Sequence, residues 1–214
     1  MPDMDREQKQ VRWEDGVIVG TSGGKYQTRN PVGRWLLNNF DRNLVELLKP
    51  LHPKRITEVG CGEGHITQLL LRHTDAPIRA LDISDDILDD ARAQVNGDPR
   101  VRFLNRSIFD LEPGQDAADL VVCCEVLEHL ENPEAGLTQL LSLTRSHALL
   151  SVPREPIFRA MNFARGAYLS DFGNSPGHIQ HWSRSQFLRF LGDRLSIREV
   201  RSPLPWTMVL LEVR

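Results

Sequence analysis

Between Arg55 and Val213 short apolar runs alternate with longer amphipathic stretches, and this repeated switch of period constrains the fold more than any other feature. Runs with strand character are Arg55 to Val59, Pro77 to Leu81, Val101 to Leu104, Leu120 to Cys124, His147 to Val152, Leu195 to Val200 and Trp206 to Val213. Helical periodicity fills the gaps at His65 to Arg72, Asp86 to Gln94, Pro133 to Thr144 and Ser185 to Leu191. Strand and helix alternating at this spacing bury their apolar faces in a parallel sheet with right-handed crossovers and helices on both faces. The last two strands are joined only by Ser202, Pro203, Leu204 and Pro205, which leaves no room for a helix, so they pair antiparallel. The sequence thus predicts an α/β fold: a single doubly wound, Rossmann-like domain with a mostly parallel seven-stranded sheet, an antiparallel edge strand and helices on both faces.

The chain's 214 residues, 40% of them hydrophobic, suffice for one such domain and no second. Its 26 basic and 29 acidic residues give a net charge of -3, and no polybasic run stands out. No bulk positive field is available to hold nucleic acid or an anionic membrane. Met1 to Gln10 is charged rather than basic-then-apolar, and no apolar run approaches about 18 residues, so neither secretion nor membrane spanning is expected. Three cysteines, Cys61, Cys123 and Cys124, match no disulfide framework or zinc spacing, and a reduced, cytoplasmic setting follows. Residues 1 to about 30 are polar and glycine-containing, and should be flexible or ordered only by contact. From Pro31 the apolar positions recur at helical spacing until Pro50 and Pro53. Residues 1–50 therefore read as a polar segment with lid helices, and 51–214 as the domain proper.

The segment Ile56 to His65 reads I-T-E-V-G-C-G-E-G-H, a strand end, three glycines and a helix start. Glycines at every second position let a ligand lie against the backbone, and the helix start offers free N–H donors. The next strand ends on Asp82, eighteen residues past Gly64, an acid placed to accept hydrogen bonds from ribose hydroxyls. A nucleoside-containing ligand is implied. The dinucleotide fingerprint G-x-G-x-x-G does not fit, because its third glycine falls on His65, which counts against a nicotinamide oxidoreductase. Glu58, two residues before the first glycine, would repel a pyrophosphate and suits a ligand with a cationic end.

E-V-G-C-G-E-G followed by L-D-I-S resembles motif I and the acidic second motif of class I S-adenosylmethionine-dependent methyltransferases. The resemblance implies that Gly60, Cys61, Gly62 and Glu58 surround the methionine portion of S-adenosylmethionine, that Asp82 holds the ribose, and that Ile83 packs on the adenine. It places Ser107 and Ile108 at the adenine edge, where the family frequently has an acid, with Asp110 as the alternative in a shifted register. Lys25 to Pro31 is similar to amino-terminal segments that close over the cofactor, so Tyr26 or Arg29 should reach it.

C-E-V-L-E-H-L, Cys124 to Leu130, resembles the same stretch in ubiquinone-biosynthesis O-methyltransferases and the type 11 small-molecule methyltransferases. Cys123 and Cys124 read as core packing, since transfer from a sulfonium needs no thiol. In a helical segment Glu125, Glu128 and His129 would share a face. Three readings stay open: Glu125, with Cys124 at the strand end, borders the cofactor while Glu128 and His129 cap and pack the next helix; the three ligate magnesium or manganese; or His129 is a general base.

Pro153 to Trp182 is far longer than the few residues an αβ connection needs, and is the candidate acceptor lid. It carries Phe158, Phe163, Tyr168, Phe172 and Trp182 among Arg154, Arg159 and Arg165, with Pro156 to Tyr168 read as a short helix. His178 and His181 stand three apart, and His178 is a second candidate base or a further ligand. Glu155 and Asp171 leave the excursion one net positive charge, which favours a discrete acceptor over a polynucleotide track. The expected activity is methyl transfer to a small molecule, chiefly at oxygen. The alternatives are a metal-dependent RNA 2′-O-methyltransferase and a non-catalytic nucleoside-binding module.

Overall fold

The computed structural model of the chain describes residues 11–14, 17–21, 30–164, 172–175, 177–192 and 196–213. Seven strands form one sheet: β3 (Ile56–Val59), β4 (Ile78–Asp82), β5 (Val101–Asn105), β6 (Ala118–Cys124), β7 (Thr144–Pro153), β8 (Ser196–Arg201) and β9 (Trp206–Glu212). Their order is β5-β4-β3-β6-β7-β9-β8. The first five members run parallel, and β9 lies antiparallel to both β7 and β8. The chain steps outward from β3 to β5, then returns to the other side of β3 with β6. That reversal opens a crevice at the carboxyl ends of β3 and β6, where open α/β sheets place their ligands. Every residue of β3 is buried, as are six of the seven in β6, consistent with strands covered on both faces.

Helices α1 (Pro31–Leu48), α2 (His65–His73) and α3 (Asp85–Gln94) bury their apolar stripes in one cluster that includes Leu44, Leu70, Leu88, Leu120 and Leu149. On the opposite face α5 (Pro133–Leu143) and α7 (Arg184–Leu191) pack Leu137, Leu140 and Phe187 against Val121, Leu150 and Val209. The one-turn α4 (Pro113–Asp116) carries Asp116, whose buried carboxylate meets Arg106 at 2.9 Å and Arg79 at 3.4 Å. α6 (Ile157–Ala164) begins the excursion after β7.

Two expectations for the amino-terminal portion change. α1 is the only helix ahead of the sheet among the described residues, and it is a core element rather than a lid: Leu37, Phe40, Leu44, Leu47 and Leu48 are buried, and Asn30 caps it by accepting from Val32 N at 2.9 Å and Gly33 N at 3.3 Å. Ahead of it, β1 (Val11–Glu14) and β2 (Val17–Thr21) pair antiparallel, so these residues form a hairpin where the composition suggests an unstructured stretch. The overlooked signal in the sequence is the dipeptide Asp15-Gly16, frequent in hairpin turns, ahead of the β-branched run Val17, Ile18, Val19.

Candidate active site

After β3 the chain passes through Gly60, Gly62 and Gly64 with φ of 74°, 52° and 84°. These left-handed values suit glycine, but the three positions do different work. A Cβ on Gly60 would stand 2.2 Å from Val126 Cγ2, and one on Gly64 3.1 Å from Ala91 Cα, so these two are packing glycines. A Cβ on Gly62 would meet nothing within 4 Å, so here the backbone lies open to a ligand. The loop is tied to the end of β4: Gly60 N and Cys61 N donate to Leu81 O at 2.8 and 2.9 Å, and Gly62 N donates to Asp82 Oδ2 at 2.9 Å. Ser84 N reaches the other oxygen, Oδ1, at 3.3 Å. Asp82 thus accepts an amide on each oxygen, and a carboxylate oxygen can take more than one donor.

Glu58 is 2% exposed; its Oε2 accepts the Thr67 hydroxyl at 2.7 Å, while Oε1 is buried without a hydrogen-bond partner. Burial raises its pKa to about 8, the Thr67 hydrogen bond opposes the rise, and the charge of Asp82 adds to it. An orphaned carboxyl oxygen beside the open loop fits a ligand that brings a cationic group.

Ile83 follows Asp82, half-buried, at the rim of the loop. Ser107 and Asp110 close a capping box around the 3-10 turn Ile108–Asp110: Ser107 Oγ accepts Phe109 N at 3.3 Å and Asp110 Oδ2 accepts Ser107 N at 3.3 Å. That cap engages one oxygen of Asp110, which is exposed, while Ser107 is half-buried and Ile108 is buried. Tyr26 and Arg29 lie outside the described residues.

The end of β6 departs most from expectation. Glu125 has φ 60° and is followed by a 3-10 turn, Leu127–His129, so the helical face predicted for Glu125, Glu128 and His129 does not form. Glu125 turns away from the other two. Its Oε2 accepts the Trp206 indole N–H at 2.6 Å, its Oε1 accepts the Ser151 hydroxyl at 3.0 Å, and its amide donates to Ser151 O at 3.0 Å. The Trp206 ring meets Phe40 of α1 edge-on at 5.0 Å. Glu125 as a ligand alongside Glu128 and His129 is therefore corrected, and His178 takes its place. Ligand atoms of Glu128, His129 and His178 all lie within 4.8 Å of one another.

The excursion after β7 brings His178 there. Ile179 N and Gln180 N donate to Glu128 O at 2.8 and 2.9 Å, and Gln180 Nε2 donates to Leu130 O at 3.0 Å. His129 Nδ1 lies 2.8 Å from Gly177 O, and since a carbonyl only accepts, Nδ1 is the donor in this contact. The His129 and His178 rings stand 5.0 Å apart, with Phe158 of α6 5.3 Å from His178. His181 instead meets Asn174 Oδ1 at 2.8 Å on an exposed edge.

Cys61, Cys123 and Cys124 are free and buried, and burial drives all three thiols up, so none is a nucleophile at neutral pH. Sequence reasoning missed Ser151 and Trp206. Trp206 is 81 residues from Glu125, and only the insertion of β9 beside β7 makes them neighbours.

This strand order, with a glycine loop after the first strand of the sheet and an acid closing the second, is the fold of class I S-adenosylmethionine-dependent methyltransferases. The structure of magnesium protoporphyrin IX methyltransferase from Synechocystis PCC 6803, with bound SAH, superposes with a TM-score of 0.66 over 87% of this chain and 89% of that one, at 19% identity. Residues 57–150 match the methyltransferase domain family. It is 30% identical over 102 residues to the malonyl-[acyl-carrier protein] O-methyltransferase of Halalkalibacterium halodurans, covering 46% of this chain and 38% of that protein. To the ubiquinone biosynthesis O-methyltransferase of Coxiella burnetii it is 25% identical over 121 residues, 54% of this chain and 51% of that one. The matches thus span about half or less of these relatives' length. No helix among the described residues is long and apolar enough to cross a membrane.

Proposed function

We propose that the chain binds S-adenosylmethionine across the β3 and β4 loops and transfers its methyl group to an oxygen of a small-molecule acceptor lying between the glycine loop and the excursion after β7. The observation that carries this reading is the Gly62–Asp82 pair: an amide that fixes the carboxylate at 2.9 Å, beside a glycine with open space where a Cβ would be. When bound, S-adenosylmethionine supplies a methyl group already activated on a sulfonium.

The protein's own part is chiefly alignment, for which proximity can supply roughly 7 to 11 kcal/mol. Asp82 receives the ribose hydroxyls, Ile83 and Ile108 flank the adenine, and Glu58 meets the methionine ammonium. Cys124 and Glu125 close the strand end facing the acceptor. His129, held through Nδ1 by the Gly177 carbonyl, takes the proton of an acceptor hydroxyl, and His178 packs beside it. A second reading rests on the same cluster. Glu128, His129 and His178 offer one oxygen and two nitrogens at ligand spacing, and would hold magnesium or manganese against the acceptor oxygen; His129 would then be a ligand rather than a base.

Transfer of a labelled methyl group into a metabolite extract, with and without chelator, tests both. Label that enters small molecules regardless of chelator supports the base, and chelator-sensitive label supports the cation. Label that enters RNA, with binding that weakens as salt rises, replaces the small-molecule reading by the RNA one. Tight cofactor binding without transfer leaves the non-catalytic module.

A further inference from the structure

Where β7 gives way to α6 the chain carries charge that the fold does not neutralise. Arg154 follows Pro153, and its amide donates to Pro205 O at 2.8 Å, which fixes its backbone beside Trp206. Phe158 N donates back to Arg154 O at 3.0 Å, a one-turn relation that sets the two residues on the same side of the helix entrance. Phe158 is the ring against His178, so Arg154 stands one turn from the side chain that packs on the proposed catalytic pair. Arg159, just beyond, has its amide 3.3 Å from Glu155 Oε2.

The Nε atoms of Arg154 and Arg159 are both buried without a hydrogen-bond partner, and neither guanidinium forms an ion pair among the described residues. Arginines elsewhere are paired: Arg79 and Arg106 with Asp116, Arg100 with Asp98. The acid between the two does not replace a partner. Glu155 Oε1 is itself buried and unbonded, and burial raises its pKa although the Arg159 amide and the charges of His181 and Arg159 oppose the rise. Two guanidiniums five residues apart at the entrance to α6, each with an unmet Nε donor, match the acceptor oxygens of a planar or tetrahedral oxyanion.

We propose that Arg154 and Arg159 form an anion subsite of the acceptor pocket, so that the acceptor carries a carboxylate or a phosphate. The proposal rests on the methyltransferase reading. Arg154 is three residues along the strand from Ser151, which holds Glu125, a path of at most about 10 Å. The anionic group therefore lies within a small molecule's length of the reacting end.

A metabolite extract is first split on anion-exchange resin into retained and unretained pools, and labelled methyl transfer is run on each. The retained pool is expected to carry the acceptor. Arg154→Gln and Arg159→Gln should each lower transfer from that pool at least tenfold, Arg154→Lys should recover part of it, and all three should bind SAH within twofold of wild type. Phosphatase treatment of the pool abolishes transfer for a phosphate monoester and spares it for a carboxylate. Acceptor activity in the unretained pool, or Arg154→Gln transferring at the wild-type rate, overturns the subsite. Label in neither pool counts against the activity itself; the subsite is then decided by phenyl phosphate and phenylacetate titrated into SAH-saturated protein. Binding of either that the double variant R154Q/R159Q loses supports it, and equal or absent binding in the two proteins overturns it.

Discussion

The carboxyl of Glu58 lies two residues before the glycine loop, one oxygen bonded to Thr67 and the other without a partner. With its pKa raised from 4.5 to about 8, the folded protein holds a proton that the unfolded chain releases. Glu58 thus adds stability that is fully present below about pH 4.5 and lost as pH rises through about 8. A cation arriving at the free oxygen reverses the preference, so cofactor affinity should rise with pH up to about 8 and binding at pH 7 should release close to one proton. Calorimetry in two buffers of different ionisation enthalpy measures this directly; Glu58→Gln should abolish the release, and no release from wild type removes the assignment. Asp82→Ala loses both the anchor of Gly62 and the ribose acceptor, and charge-assisted hydrogen bonds of about 1.5–3 kcal/mol each imply on the order of a hundredfold or greater loss of SAH affinity. His129→Ala should cut turnover by roughly 10² to 10⁴-fold while SAH affinity stays within twofold. Full activity would end its role as base or ligand.

At the scale of elements, two glycines separate backbone necessity from loose packing. A Cβ at Gly60 would meet the stiff, β-branched Val126 at 2.2 Å with φ 74° already unfavourable, so Gly60→Ala should destabilise the fold by about 2–4 kcal/mol. In α5, a Gly136 Cβ would clash with the tip of Leu130, which can swing aside, and would meet Leu127 and Ile108 at ordinary contact distance, while Ala is the better helix residue by about 0.5–1 kcal/mol. Gly136→Ala should therefore cost under ~1 kcal/mol, and urea unfolding of the pair compares them; equal losses would refute the distinction. Element type was legible because each strand and helix carries its own period, and every sheet strand lies where the pattern puts it. The β1–β2 hairpin was not, because its polar neighbourhood outweighed a two-residue turn signal. The turn after β6 was not either: a helical spacing of Glu125, Glu128 and His129 is indistinguishable in sequence from a left-handed residue leading into a 3-10 turn.

For the molecule as a whole, the cofactor should behave as a structural ligand of the native state. SAH at about 100 times its Kd should add about 2.7 kcal/mol, a rise in Tm of roughly 5 to 10 °C for a domain of this size, and Asp82→Ala at the same SAH concentration should show almost none of it. The sequence by itself determined the strands of the sheet and the glycine loop and acid that meet at its carboxyl edge, because these depend on local period and on adjacent parallel strands. Tertiary structure alone decided the side-chain cluster after β6. Trp206 reaches Glu125 only because β9 inserts beside β7, and His178 joins Glu128 and His129 only because the excursion folds back onto the backbone of Glu128. Those contacts join residues far apart in the chain through hydrogen bonds whose partners no spacing rule specifies.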